Sequence, residues 1–272
     1  MKNKHDFSLA LVTGASSGIG MQLCHLLAEE GIDLIITARR TENLQSLAEE
    51  LGDKVNVEIV TADLANHHQR KELIEKMYER VPDLVVNNAG YGIYGEALTH
   101  ETQKSMDMLE VDVAAVLEIS LEGARALISS EREGVIMNIS SSAAFQIFPY
   151  FAVYAASKAF VNNFSESFDE EVKHYGVRVL AACPGMVATE FPFVASGGAH
   201  REGNPLAMSV GFAASEIWRQ ILKRKPVHAF DWKYRIATFL SRYLIPKKIT
   251  AMVMRKTIES RHPKKTIIKR TK

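Results

Sequence analysis

Tyr154 and Lys158 stand four residues apart in the segment Tyr154-Ala155-Ala156-Ser157-Lys158. In a helix that spacing puts both side chains on one face. A free phenol titrates at about 10 and is a poor base at neutral pH. An ammonium within about 4–6 Å favours the phenolate by roughly 1–3 units. The pair therefore predicts a phenol that can give or take a proton near neutrality. By itself the motif is weak, because Tyr243 and Lys247 repeat it. Pro246 interrupts that second pair, which argues against a continuous helix through it. A companion segment separates the two. Asn138-Ile139-Ser140-Ser141-Ser142 closes a strand, and Ser141 lies thirteen residues before Tyr154. Strand ends line the ligand crevice in parallel sheets, and a hydroxyl there can hold a substrate oxygen beside the phenol. The same serines could equally end a strand and cap a helix.

A second constellation opens the chain. Thr13-Gly14-Ala15-Ser16-Ser17-Gly18-Ile19-Gly20 follows a short apolar run and leads into a helix. Glycines there let the backbone turn and approach a pyrophosphate, while the helix N-terminus supplies free N–H groups. The spacing G-x-x-x-G-x-G lacks the Lys-Ser/Thr ending of a P-loop, which disfavours ATP or GTP. The alternative is a glycine turn that serves packing alone. The second strand ends at Thr37-Ala38-Arg39-Arg40. An acid here would bind a ribose hydroxyl; arginine suits a 2′-phosphate, which guanidinium grips through a fork of donors. The reading is NADP(H) over NAD(H).

These residues need a frame. Phe7–Val12, Asp33–Thr37, Val55–Val60, Leu84–Val86, Val135–Ile139 and Val177–Ala182 are short apolar runs without clean alternation, as expected of strands buried on both faces. Stretches with helical spacing lie between them. The alternation predicts an α/β fold, doubly wound, with three α/β/α layers. At 272 residues, 47% hydrophobic and 24% charged, the composition excludes collagen, coiled coil and global disorder. Cys24 and Cys183 make no disulfide framework, so a reducing, cytoplasmic setting is expected. Lys2 and Lys4 before Phe7–Val12 mimic a signal peptide, but the run is short and enters a glycine loop, so it is read as the first strand. No run of about 18 apolar residues suggests a membrane span.

The motifs resemble those of the short-chain dehydrogenase/reductase family, in family order from residue 7 to about 230: Thr13–Gly20, Asp63-Leu64, Asn87-Asn88-Ala89-Gly90, Ser141, Tyr154 with Lys158, and Pro184-Gly185 with Thr189. The resemblance implies about seven parallel strands in a Rossmann-type, NADP-binding catalytic domain over residues 1–230. It implies an oxidoreductase that interconverts a carbonyl and an alcohol. Tyr154 would be the proton donor, Ser141 the substrate orienter, and Lys158 the ribose ligand and modifier of the phenol. The implied cofactor-binding set is Gly14, Ser16, Ser17, Gly18, Ile19, Gly20, Arg39, Arg40, Asp63, Leu64, Asn87, Ala89, Gly90, Tyr154, Lys158, Pro184, Gly185, Val187 and Thr189. One position departs from the family. Asp112, in Glu110-Val111-Asp112-Val113, stands where the family usually has an Asn of the proton relay, and it joins the catalytic set. A carboxylate there could keep the backbone role or alter the charge balance at Lys158.

Phe145, Phe148, Tyr150 and Phe151 offer an apolar wall, and Phe191-Pro192-Phe193 through Gly203-Asn204-Pro205 reads as a mobile lid. Together they predict a hydrophobic small-molecule carbonyl or alcohol substrate; equally, the aromatics could pack between subunits of the homodimer or homotetramer common in the family. Histidines such as His67, His100 and His228 show no zinc spacing, and no metal is proposed. Residues 235–272 hold twelve Lys plus Arg and one acid, leaving 21 bases against 31 acids in the body, a net of −10. Residues 231–272 are thus a basic helical extension with a disordered end, with Ile236, Phe239, Leu240, Tyr243 and Leu244 on one face. That face either docks on the body, the favoured reading, or lies on an anionic membrane as a peripheral contact. Nucleic acid is not expected. A rival from another class is a cofactor-binding regulatory or scaffold protein with little turnover; intact Ser141, Tyr154 and Lys158 favour the enzyme.

Overall fold

The computed structural model describes residues 6–198 and 207–231, and beyond them 235–236, 239–240, 245, 248–253 and 255. Seven parallel strands form one sheet: β1 (Leu9–Thr13), β2 (Asp33–Ala38), β3 (Val57–Thr61), β4 (Leu84–Asn87), β5 (Gly134–Ile139), β6 (Val177–Cys183) and β7 (Val227–Ala229). Their order is β3-β2-β1-β4-β5-β6-β7. The expected strands are all present with ends moved by one or two residues. The three-residue β7 carries no apolar run of its own and was foreseen only through the strand number of the resembling family.

Eight helices connect them among the described residues: α1 (Gly18–Glu29), α2 (Thr41–Leu51), α3 (His67–Arg80), α4 (Thr102–Leu109), α5 (Val116–Ser129), α6 (Ala152–Val172), α7 (Phe191–Ala195) and α8 (Val210–Leu222). Successive strand residues point to opposite faces, and the core divides accordingly. Ala10 and Val12 pack with Leu23 and Leu27 of α1, Leu44 of α2 and Ile217 of α8. Leu9 and Leu11 pack with Leu73 of α3, Ile119 and Leu127 of α5, and Phe168 of α6. Each fully buried Leu or Ile adds about 1.5–3 kcal/mol, so both sheet faces must be covered, which is why the central strands read as unbroken apolar runs.

The chain winds one way from β1 to β3 and the other way from β4 to β7. A crevice therefore opens at the carboxyl ends of β1 and β4, where the winding reverses. The glycine loop leaves β1 there, and Asn88 leaves β4. Between α4 and α5 the helix widens into a π-helical turn, Glu110–Ala115; such turns carry an extra residue and often mark working sites. Buried Arg70 of α3 clamps it, donating to Glu110 Oε2 at 3.0 Å, Glu118 Oε2 at 2.8 Å and Leu64 O at 2.7 Å.

Most of the basic extension lies outside the described residues, including Tyr234, Tyr243, Leu244, Lys247 and the terminal lysines, as do Gly203-Asn204-Pro205 of the expected lid. Among the described residues of that extension, Ile236, Phe239, Ile249, Met252 and Val253 are exposed, and no described helix is long and apolar enough to cross a membrane.

Candidate active site

At the carboxyl ends of the strands lies a cleft of about 620 Å³. Its dinucleotide-sized end is mostly backbone. Gly14 and Gly18 take φ of +65° and +57°, a region that favours glycine. A Cβ on Gly20 would stand 2.4 Å from Gly14 O, so the loop closes on itself only without a side chain there. Thr13 Oγ1 accepts the N–H of both Asn88 and Ala89 at 2.9 Å, and Asn88 Nδ2 donates to Thr13 O at 2.9 Å. These bonds tie the β1 and β4 loops into one floor. Ser16, Ser17, Gly18 and Ile19 line it at the start of α1, with Ala38, Arg39 and Arg40 at one edge and Asp63 and Leu64 beside them. Arg40 donates to Ser16 Oγ at 3.3 Å and pairs with Glu190 Oε2 at 3.2 Å across the rim.

At the other end α6 carries the phenol and the ammonium. Tyr154 and Lys158 are both buried, and Lys158 Nζ lies 5.6 Å from the centre of the Tyr154 ring. Lys158 Nζ donates to Ile139 O at 3.3 Å and faces Asp112 Oδ2 at 3.3 Å. The Lys158 carbonyl accepts the Ser140 hydroxyl at 2.9 Å, which pins α6 to the end of β5. Ser141 caps, as one of its two expected parts required, and stands beside the phenol. Its Oγ accepts Ala143 N–H at 3.1 Å, capping a 3-10 turn, and its side chain hydrogen-bonds the Tyr154 phenol.

Asp112 is fully buried in the π-helical turn. Its Oδ1 accepts Tyr91 N–H at 3.0 Å. Burial pushes its carboxyl above the ordinary range, while the Lys158 charge and the Tyr91 N–H pull it back. The expected lowering of the Tyr154 phenol is not what the structure gives. Burial, aided by the Asp112 charge, pushes the phenol well above its ordinary value, and the Ser141 hydrogen bond only partly offsets this. Burial is the larger cause, and the ammonium that would oppose it is matched by a carboxylate at 3.3 Å, so the phenol faces an ion pair instead of a lone cation.

The phenol sits among aromatic rings. Phe151 stacks on Tyr154 at 4.2 Å and on Tyr94 at 4.0 Å, while Phe191 of α7 tilts against Tyr154 at 5.3 Å. Phe148, Met186 and Val194 continue this wall. Of the four aromatics expected here, Phe148 and Phe151 line the cleft, and Phe145 and Tyr150 do not. Part of the expected lid is helical, as α7. Sequence reasoning missed Tyr91, Tyr94 and Met186; nothing local marks them, since they reach the site through the β4 and β6 loops.

Most of the proposed cofactor set lines the cleft: Gly14, Ser16, Ser17, Gly18, Ile19, Arg39, Arg40, Asp63, Leu64, Ala89, Gly90, Tyr154, Lys158, Pro184, Gly185, Val187 and Thr189. Two residues do not. Gly20 lies behind the loop against Gly14. Asn87 is turned into the protein, donating to Asn138 Oδ1 at 2.9 Å and Ser120 Oγ at 3.1 Å. Any part it plays is as a buried brace. Among the described residues no cluster of His, Cys, Asp and Glu could hold a metal ion.

The sequence profile described as short chain dehydrogenase matches residues 8–193, more than half of the chain. Sulfoacetaldehyde reductase 2 of Chromohalobacter salexigens is 33% identical over 199 residues, covering 70% of this chain and 77% of that protein. Among solved structures, a short-chain dehydrogenase from Sphingobium yanoikuyae in complex with NADPH matches with a TM-score of 0.79 and 24% identity, over 97% of this chain and 100% of that one. The bulky-bulky ketone specific alcohol dehydrogenase of Comamonas testosteroni matches with a TM-score of 0.73 and 21% identity, over 97% and 98%. These last two show likeness of fold.

Proposed function

The chain belongs to the short-chain dehydrogenase/reductase family and is an oxidoreductase, and from that premise we propose that it reduces the carbonyl of a neutral, hydrophobic small molecule with NADPH. The observation that carries this is the pairing, in one cleft, of the buried Tyr154 phenol with a wall of Tyr94, Phe148, Phe151 and Phe191.

A Cβ on Gly14 would meet Ala89 Cα at 2.9 Å, so glycine there lets the β1 and β4 loops close into the floor along which a dinucleotide would lie. Ser16, Ser17 and Ile19 at the start of α1 would hold the pyrophosphate. Arg39 and Arg40 would take a 2′-phosphate, and Asp63 the adenine. Lys158 would reach a ribose, and Thr189 the amide of the nicotinamide. When bound, the nicotinamide supplies hydride.

The chain's own residues handle the proton. Ser141 orients the carbonyl oxygen beside the phenol. Tyr154 donates its hydroxyl proton to the oxygen as negative charge develops there, a contribution of about 10²–10⁴ in rate. An ordinary phenol is already protonated at neutral pH, as donation requires, and burial keeps Tyr154 so. The rings exclude water from that transfer. Among the residues lining the cleft the cations are Arg39, Arg40 and Lys158, none of them on the aromatic wall. Among the described residues of that wall an anionic tail, such as the sulfonate of sulfoacetaldehyde, would find no counter-ion.

A panel of neutral and anionic aldehydes and ketones, followed by loss of NADPH or NADH absorbance, tests this. Turnover should favour neutral aryl and alkyl ketones with NADPH. Preference for anionic aldehydes, or equal use of both cofactors at matched low concentration, would overturn the substrate or the cofactor half respectively.

A further inference from the structure

We propose that Asp112 is a positioning residue that commits the Lys158 ammonium to a buried ion pair and thereby keeps the Tyr154 phenol in its neutral form until substrate is bound. This rests on the reading of Tyr154 as proton donor.

Three observations place the pair. Both carboxylate oxygens of Asp112 face donors: Oδ1 the Tyr91 N–H at 3.0 Å, and Oδ2 the Lys158 ammonium at 3.3 Å. The Ser157 hydroxyl lies 3.4 Å from Oδ2 but only 2.8 Å from Tyr154 O, where its single proton goes. An ionised carboxylate offers acceptors only; an amide at this position would have to turn its NH2 toward one of those two donors. Second, the backbone is shaped around the pair. A Cβ at Gly90 would stand 2.9 Å from Asp112 Oδ1 and 3.1 Å from Lys158 Nζ. Third, the π-helical turn that delivers Asp112 is clamped by the buried Arg70 through Glu110 and Glu118, so the carboxylate is anchored.

The consequence for the phenol is electrostatic. Charged or titratable groups facing Tyr154 are Asp112 from the π-helical turn, Lys158 on its own helix, Tyr94 from the β4 loop and Cys183 from β6, with the Ser141 hydroxyl at the end of β5. A lone ammonium near a buried phenol would favour phenolate. Cancelled by Asp112, it leaves burial to decide, and burial favours the neutral phenol. Carbonyl reduction needs that form. Alcohol oxidation needs the phenolate, so its rate should climb about tenfold per pH unit through and beyond neutrality.

The test compares the full-length protein with D112N by ultraviolet titration of phenolate, with Y154F identifying which part of the signal belongs to Tyr154. Removing the carboxylate frees the ammonium, so the Tyr154 proton should be bound at least about tenfold more weakly. The basic limb of the oxidation profile should move to lower pH by the same factor. A purely structural role would lower stability without moving either titration. Should D112N fail to fold, D112S serves the same comparison. An unchanged Tyr154 titration in a folded Asp112 variant would overturn the inference. Carbonyl reduction persisting in Y154F would instead overturn the reading on which it rests.

Discussion

At the dinucleotide end of the cleft the wall is backbone. Gly14 and Gly18 hold left-handed conformations, Gly20 packs on Gly14 O, and the loops of β1 and β4 are stitched by Thr13 and Asn88. At the carbonyl end the wall is side chain: Tyr94, Phe151, Tyr154 and Phe191 in mutual contact, and the Asp112–Lys158 pair behind them. The first end comes from short continuous segments at neighbouring strand ends. The second is gathered from the β4 loop, the π-helical turn, α6 and α7. A backbone wall accepts any ligand of the right outline and charge, whereas a wall of rings and one ion pair selects among substrates and sets a protonation state.

Substitutions can break this division. The largest effect falls on the carbonyl end: Tyr154→Phe should lower carbonyl reduction by about 10²–10⁴ while cofactor affinity, measured by fluorescence titration, stays within about twofold. Parallel loss of both would mean that the two ends are not separable. Lys158→Met strands Asp112 as a buried lone carboxyl and should cost about 3–5 kcal/mol at neutral pH, read from urea unfolding. The sign of its pH dependence follows from the raised Asp112 carboxyl. The folded protein binds that proton more tightly than the unfolded chain, so stability is retained in acid and lost as pH rises through the folded value. The deficit should therefore be small near pH 4 and grow toward neutrality; a deficit independent of pH would mean that the carboxyl is not the stranded group.

At the dinucleotide end, Arg39→Ala with Arg40→Ala should weaken NADPH by about 10–100-fold, the size expected for charged hydrogen bonds, and leave NADH affinity unchanged. Equal weakening of both would move the arginines away from the 2′-phosphate. Phe148→Ala should raise KM for bulky hydrophobic ketones by several-fold, in keeping with about 1–3 kcal/mol for lost apolar contact, with kcat and cofactor affinity held. The smallest effect belongs to Glu190→Gln. It releases Arg40 from an exposed pair worth about 0–1 kcal/mol and should tighten NADPH by at most about fivefold; weaker binding would show that the rim pair helps to build the site.

The same division explains what was legible in the sequence. The central strands declared themselves because both faces of each are buried, so runs such as Leu84–Val86 admit no polar break, whereas β3 at the sheet edge is half-buried and carries Glu58. Gly14, Gly18, Tyr154 and Lys158 could be read because their roles depend on near neighbours in the chain. Asn87 could not be placed by its motif alone, since which face it presents depends on where β4 ends. Tyr94 was invisible because its contact with Phe151 spans two loops. Asp112 was noticed through the family resemblance, but burial as the cause that outweighs the ammonium at the phenol, and the pairing of that ammonium with Asp112, come only from the assembled site.

The π-helical turn carries a consequence for chain length. Each helical residue rotates its side chain by about 100°, so deleting one residue between Glu110 and Ala115 would swing the carboxylate away from its cation even though every amino-acid type were kept. At this segment divergence by substitution should be tolerated more readily than divergence by insertion or deletion, and the phase of the helix, as much as its lettering, is the inherited trait.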